Sequence, residues 1–275
     1  MNVGRSINRY LDALSYTRSA FGAPGVFLPF AMFGLLQALI LLLFAQFTHP
    51  LLAPVMVPVM RWLGGEASLH YPMHLVGLPS VYQRVYLPLV ASAGFALWSF
   101  AVWKLVDHHA VGADRPRRDF RPALPHIVVI GVLFVLASVV TGEAASRLVG
   151  PRTPDTVQRA VLFASVLATA SLQALLVYAP LALRVRGGGW RSAVATSVAY
   201  ARRHFIATAM VLLTVLLIHW PVDFILSRAD RLAARFQPET IVQVMLASAV
   251  LEMFTACLLF AAITELALPR EGGLK

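Results

Sequence analysis

Six long apolar runs, separated by short loops, constrain this chain more than any other feature. They fall at about 25–47, 86–106, 126–141, 159–183, 205–226 and 240–264. Most approach the ~20 residues that an α-helix needs to cross a hydrocarbon core of ~30 Å, and 126–141 is the shortest. Lipid offers no partner to an unpaired backbone N–H or C=O, so runs of this length must be helical. Barrel strands are about half as long and alternate in polarity. The expectation is an all-α fold: a single polytopic bundle of six transmembrane helices over residues 1–275, flanked by amphipathic interfacial helices.

Charge sets the orientation. Hydrophobic residues make up 59% of the chain and charged residues only 13%, too few to dress a soluble surface. Of the 23 lysines and arginines, 15 fall on one side of the six spans: Arg5, Arg9 and Arg18, the loop from Lys104 to Arg121, the segment from Arg184 to Arg203, and the tail with Arg270 and Lys275. The other 8 (Arg61, Arg84, Arg147, Arg152, Arg159, Arg228, Arg231 and Arg235) fall opposite. By the positive-inside rule both termini are cytoplasmic, and six crossings independently place them on one side. Topology and attraction to anionic head groups thus account for the net charge of +10, and no aromatic-interleaved basic module points to nucleic acid. The first run follows some twenty-five polar and amphipathic residues without a small-residue cleavage site, which reads as a retained span rather than a signal peptide. The single cysteine, Cys257, excludes an intramolecular disulfide and a cysteine-based metal cluster.

Three connecting segments have character of their own. Residues 1–21 place Val3, Ile7, Tyr10, Leu11 and Leu14 at helical spacing, predicting a cytoplasmic interfacial helix. The non-cytoplasmic loop 48–85 is apolar but interrupted by Pro50, Pro54 and Pro58, which argue against a spanning helix and for a segment along the interface. Within it Glu66, His70 and His74 are spaced by four, as metal ligands on one helix face would be. Pro72 breaks that spacing, and with Trp62, Tyr71 and Tyr82 nearby the expectation is an aromatic belt with no metal and no cofactor. Asp107, His108 and His109 beside Lys104 read as a solvated helix end. In 187–204, Trp190, Val194, Val198 and Ala201 lead to Phe205 along one helical face after a triple glycine, predicting a cytoplasmic amphipathic segment that anchors on lipid or docks a protein partner.

Chemistry has few places to sit. Glu252 is the one acidic residue in the middle of a span, about twelve residues or ~18 Å into the sixth run. Such groups face a bundle interior or a wet cavity. Ser248 and Thr255 share its face; Ser165, Thr169 and Gln173 form a second polar stripe on the fourth run, and Gln37 lies midway along the first. Two roles stay open for Glu252: a proton, cation or head-group site with Gln37 and Gln173 beside it, or a neutral glutamic acid that hydrogen-bonds between helices to fix packing. His219 and Asp223 close the fifth run around Pro221 and read as interfacial. No nucleophile elbow, metalloprotease helix or phosphate-binding glycine loop is present. The tetrapeptide Leu-Gln-Ala-Leu at 36–39 and again at 172–175 stands in spans one and four, which run oppositely, as an inverted-repeat transporter would arrange it.

The spacing Ala193-x3-Ser197-x4-Arg202-x2-Phe205, leading into an apolar span, a short outer loop and a last span rich in small residues, resembles a broad group of bacterial six-helix membrane proteins. That group includes the membrane domain found with some glycerophosphoryl diester phosphodiesterases. The similarity covers about 180–268, with Val198 where an aromatic is common and Arg203 where glycine is. It implies the bundle and a bacterial inner membrane, not the phosphodiesterase reaction, for which no soluble domain is present. Together these features favour a non-enzymatic inner-membrane protein, a component of an envelope or lipid-handling complex whose partners are membrane lipids. A small transporter or permease subunit using Glu252 is the alternative, and a lipid-active enzyme using Glu66, His70 and His74 a third reading.

Overall fold

A computed structural model describes residues 3–109, 119–149 and 153–268, the side chains of Val3, Arg5, His109 and Asp155 excepted. Arg115, Arg117, Arg118, Arg152, Arg270 and Lys275, which contribute to the charge count above, lie outside the described residues. Among the described residues there is no strand, and six helical stretches are long and apolar enough to cross a membrane. The chain is a polytopic helical membrane protein.

The spans follow the apolar runs and extend past several of them. The first is α2 (Pro24–Ala45), after α1 (Val3–Phe21). The second starts eight residues before Tyr86: α5 (Leu78–Leu89) continues through a π-turn at Val90–Gly94 into α6 (Phe95–His109), after two short helices of the preceding loop, α3 (Ala53–Gly64) and α4 (Met73–Val76). The third, built on α7 (Leu124–Leu148), runs seven residues beyond Thr141. Thr141 donates its hydroxyl to the Ala137 carbonyl and Glu143 pairs with Arg147 one turn on, so polar side chains carry the helix past the apolar stretch. The fourth joins α8 (Asp155–Leu176) to α9 (Ala179–Arg186), with Pro180 in the first turn of α9, where its missing N–H leaves nothing unpaired. After α10 (Trp190–Arg203), the fifth is α11 (Phe205–Leu226). A short α12 (Ala229–Arg235) leads to the sixth, α13 (Thr240–Ala267).

The sixth span is the axis of the bundle, packed against α1, α2, α6 and α11. Cys257, Ala261 and Ala262 on it are fully buried. Lipid tails are as apolar as leucine, so helices in a membrane associate through close van der Waals fit, which small side chains permit. The same rule explains α1. It is helical as predicted, yet the face it buries is Ala13, Tyr16, Thr17 and Ala20, while Ile7 and Leu11 of the apolar stripe stay exposed. Ala13 packs with Ala207, Val211, Ala262 and Leu266, and the Tyr10 hydroxyl lies 2.8 Å from Thr214 Oγ1. α10 behaves alike: Ala193, Ser197 and Ala201 are buried, whereas Phe205 is exposed. Gly187 and Gly188, with φ of 72° and 86°, supply the left-handed turn that folds α10 back against α9. There Ser197 Oγ accepts the Tyr178 backbone N–H at 3.1 Å, where α8 gives way to α9.

The proline-rich loop folds into a cap. Pro54 sits in the first turn of α3, where no donor is needed, and the 12-residue helix is ~18 Å long, too short to span. Met56, Met60 and Leu63 pack with Leu41 and Phe44 of α2 and Ile241 of α13. At the opposite end buried Arg184 donates to Asp107 at 2.6 Å, so Asp107 is an ion-pair partner rather than part of a merely solvated helix end.

Two close contacts yield predictions. A Cβ on Gly131 of α7 would enter the van der Waals shell of the Ala91 carbonyl oxygen and come within 2.9 Å of the Phe95 Cβ. Gly131→Ala is therefore expected to cost about 1–3 kcal/mol by overpacking, read as a lower unfolding midpoint in detergent; unchanged stability would refute the contact. In the second, Arg9 donates to His204 Nδ1 at 3.1 Å. Burial, then the Arg9 and Arg203 charges, push His204 down to about 4 from its ordinary 6.5. Between those values the unfolded chain binds a proton that the folded one does not, so His204 costs stability progressively as pH falls from about 6.5 to about 4. His204→Gln, which keeps an acceptor for Arg9, is expected to lose less stability across that interval than the parent. Parallel melting curves for the two proteins would refute it.

Candidate functional site: an acid-centred intramembrane cavity

Glu252 sits in the middle of α13 and faces α2 and α5. Gln37 Nε2 donates to its Oε2 at 2.9 Å, and the Tyr86 hydroxyl donates to its Oε1 at 2.6 Å. On the other side of the amide the Tyr82 hydroxyl donates to Gln37 Oε1 at 3.3 Å. A relay Tyr82, Gln37, Glu252, Tyr86 thus joins three spans, and Gln37 at its centre is only 2% exposed.

These groups form one wall of a cavity of about 750 Å³. A second wall comes from α11. His219 Nε2 lies 2.7 Å from Thr255 Oγ1, which is also 3.0 Å from the Leu251 carbonyl of its own helix. Asp223, four residues on, lines the same space. Pro221 does not separate them: α11 runs unbroken from Phe205 to Leu226, and one helical turn puts both on one face. Ser80, Gln83, Asp223 and Ser227 line the part nearest the α3–α12 end of the bundle and are themselves exposed, so the cavity reaches the surface there. Its depth is apolar and aromatic, with Trp98, Phe134, Leu216 and Phe260.

The structure divides the candidate residues. Glu252, Ser248, Thr255, Gln37 and Gln173 all line the cavity. Gln173 does so at a distance from the acid, donating to Ser138 Oγ of α7 at 3.0 Å. Ser165 and Thr169 do not take part: Ser165 bonds the Leu162 carbonyl of its own helix, and Thr169 bonds the Ser165 carbonyl and Thr141 of α7. Tyr82, Tyr86, His219 and Asp223 join a site for which they were not candidates. Glu66 is paired with Arg61 at 2.7 Å, and His70 is exposed. His74 is buried beside the Phe47 ring, and that burial holds its imidazole below the usual histidine range. Among the described residues no group of three histidines, cysteines or carboxylates is arranged to hold a metal.

No protein-family model, curated protein or solved structure matches this chain. The site's chemistry therefore rests on its own geometry. Glu252→Leu strands the donors of Gln37 and Tyr86 and is expected to lower stability in detergent by roughly 1 kcal/mol per lost bond. Glu252→Gln keeps shape and an acceptor and should unfold near the parent. A leucine variant as stable as the parent would show that the relay contributes nothing to packing.

Proposed function

We propose that the chain is a multi-pass protein of a bacterial cytoplasmic membrane that binds, and as a small transporter or permease subunit moves, a ligand carrying a proton or positive charge, with Glu252 as the recognition point. The observation that carries this reading is the setting of Glu252. A carboxyl kept only to lock helices needs partners but no space, whereas this one has its partners and also borders a cavity of about 750 Å³ that reaches the surface. The distribution of basic residues assigns that mouth to the non-cytoplasmic side. His219 and Thr255, 2.7 Å apart in the cavity wall, are read as packing partners, because the Thr255 hydroxyl also bonds the Leu251 carbonyl of its own helix, which favours binding over catalysis. The exposed Arg191, Arg202 and Arg203 of α10 present positive charge at the opposite end, suited to anionic head groups in an envelope or lipid-handling assembly. The likeness of 180–268 to the membrane domain of glycerophosphoryl diester phosphodiesterases accords with such a setting.

Access from outside is the test. In a Cys257→Ala background, Ser248→Cys in the cavity wall should react with a small impermeant thiol reagent added to intact cells, as should Arg235→Cys on α12, while Arg191→Cys on α10 should not. An unreactive Ser248→Cys variant alongside a reactive Arg235→Cys would overturn the reading, and labelling of Arg191→Cys from outside would invert the topology.

A further inference from the structure

We propose that the ligand of this cavity is a bulky organic cation, a lipophilic body carrying a single weakly hydrated positive charge. The inference rests on the reading of the cavity as an open binding site and adds to it the ligand's chemical class.

Charge is the first argument. Among the described residues Glu252 and Asp223 are the two carboxyls in the wall, and no lysine or arginine lines it. On the flanking elements Arg84 is turned onto the Leu63 carbonyl and Arg228 lies over the Phe224 ring. An anionic ligand would bring negative charge beside two carboxyls, with only the His219 imidazole as a basic group facing it among the described residues, in a medium of low dielectric.

Size and wall chemistry decide between kinds of cation. A hard metal ion needs about six oxygens converging at short range. Here the acid's two oxygens are each occupied by a donor, and Asp223 comes from a different span, α11. The volume of about 750 Å³ falls in the range of drug-sized ligand sites, roughly 300–1,000 Å³. Trp98, Tyr82, Tyr86, Phe134 and Phe260 supply aromatic and apolar area to that space. Aromatic faces attract a cation that sheds its water easily, and their gain is largest where the charge is desolvated. Exposed Asp223 near the mouth and Glu252 against the aromatic depth give such a ligand a first and a second counter-charge along one path.

Tetraphenylphosphonium and tetraphenylborate have nearly the same shape and opposite charge, which makes them the discriminating probes. Equilibrium binding to purified protein in detergent should be saturable for tetraphenylphosphonium and absent for tetraphenylborate. Glu252→Gln, checked for folding by its melting curve, should weaken phosphonium binding at least tenfold. Asp223→Asn, at an exposed position where folding is not at stake, should weaken it several-fold. Equal binding of both probes, or phosphonium binding untouched in both variants, would overturn the inference. Absence of saturable phosphonium binding in a protein whose Ser248→Cys variant is reachable from outside would overturn the ligand class and leave the open acid-centred site standing; an unreachable Ser248→Cys variant would remove both.

Discussion

A carboxyl in the middle of an apolar helix must find its hydrogen-bond donors inside the protein, because lipid has none to offer. In this chain that requirement falls on Glu252, and the Gln37 amide and Tyr86 hydroxyl meet it from two other spans. The relay therefore fixes more than one side chain. It sets the rotation of α2 and of α5 about their own axes relative to α13, since turning either helix by a fraction of a turn would strand both acid and donor. Tyr82 extends the relay by donating to the Gln37 amide oxygen.

Packing around that relay uses a different principle. With no hydrophobic drive between helices in lipid, association favours places where backbones come close, and here these are marked by small residues: Ala261 and Ala262 on α13, Ala13 and Ala20 on α1, Ala193 and Ser197 on α10, Gly131 on α7. Large apolar side chains often point outward instead, as Leu35, Phe163 and Leu217 do. This inverts the logic of a soluble core and explains why an apolar stripe is a poor guide to the buried face of α1 or α10.

What could be read from the sequence follows from these two principles. The spans were legible because twenty apolar residues have one use in a membrane. Glu252 was legible because a mid-span acid is costly, and Gln37 beside it for the same reason. Tyr82 and Tyr86 were not, because tyrosine at the end of an apolar run ordinarily marks the interface, and Pro88 hides the continuity of the helix beyond it. Pro221 masked the shared face of His219 and Asp223 in the same way. Ser165 and Thr169 misled for the opposite reason: a hydroxyl in a helix satisfies itself on its own backbone carbonyl, so a stripe of them need not signal a site.

The irregularity in the second span ties the cavity to the fold. Tyr82, Tyr86, Val90 and Trp98 all line it. In an unbroken α-helix the sixteen residues from Tyr82 to Trp98 would turn Trp98 roughly 160° away, toward the opposite face. The π-turn at Val90–Gly94 absorbs one residue without its share of rotation, which brings the difference back to roughly 60°. Trp98 then stands on the same side as the two tyrosines, with Phe33 edge-on at 5.2 Å and Phe260 at 5.9 Å behind it. The ladder is already interrupted by Pro88, which has no N–H to give, and Ser92 takes up the Pro88 carbonyl at 2.7 Å. An aromatic depth below a polar relay thus comes from one helix changing phase partway across the bundle. A π-turn at such a place accords with the tendency of these turns to occur at functional sites rather than in uniform packing.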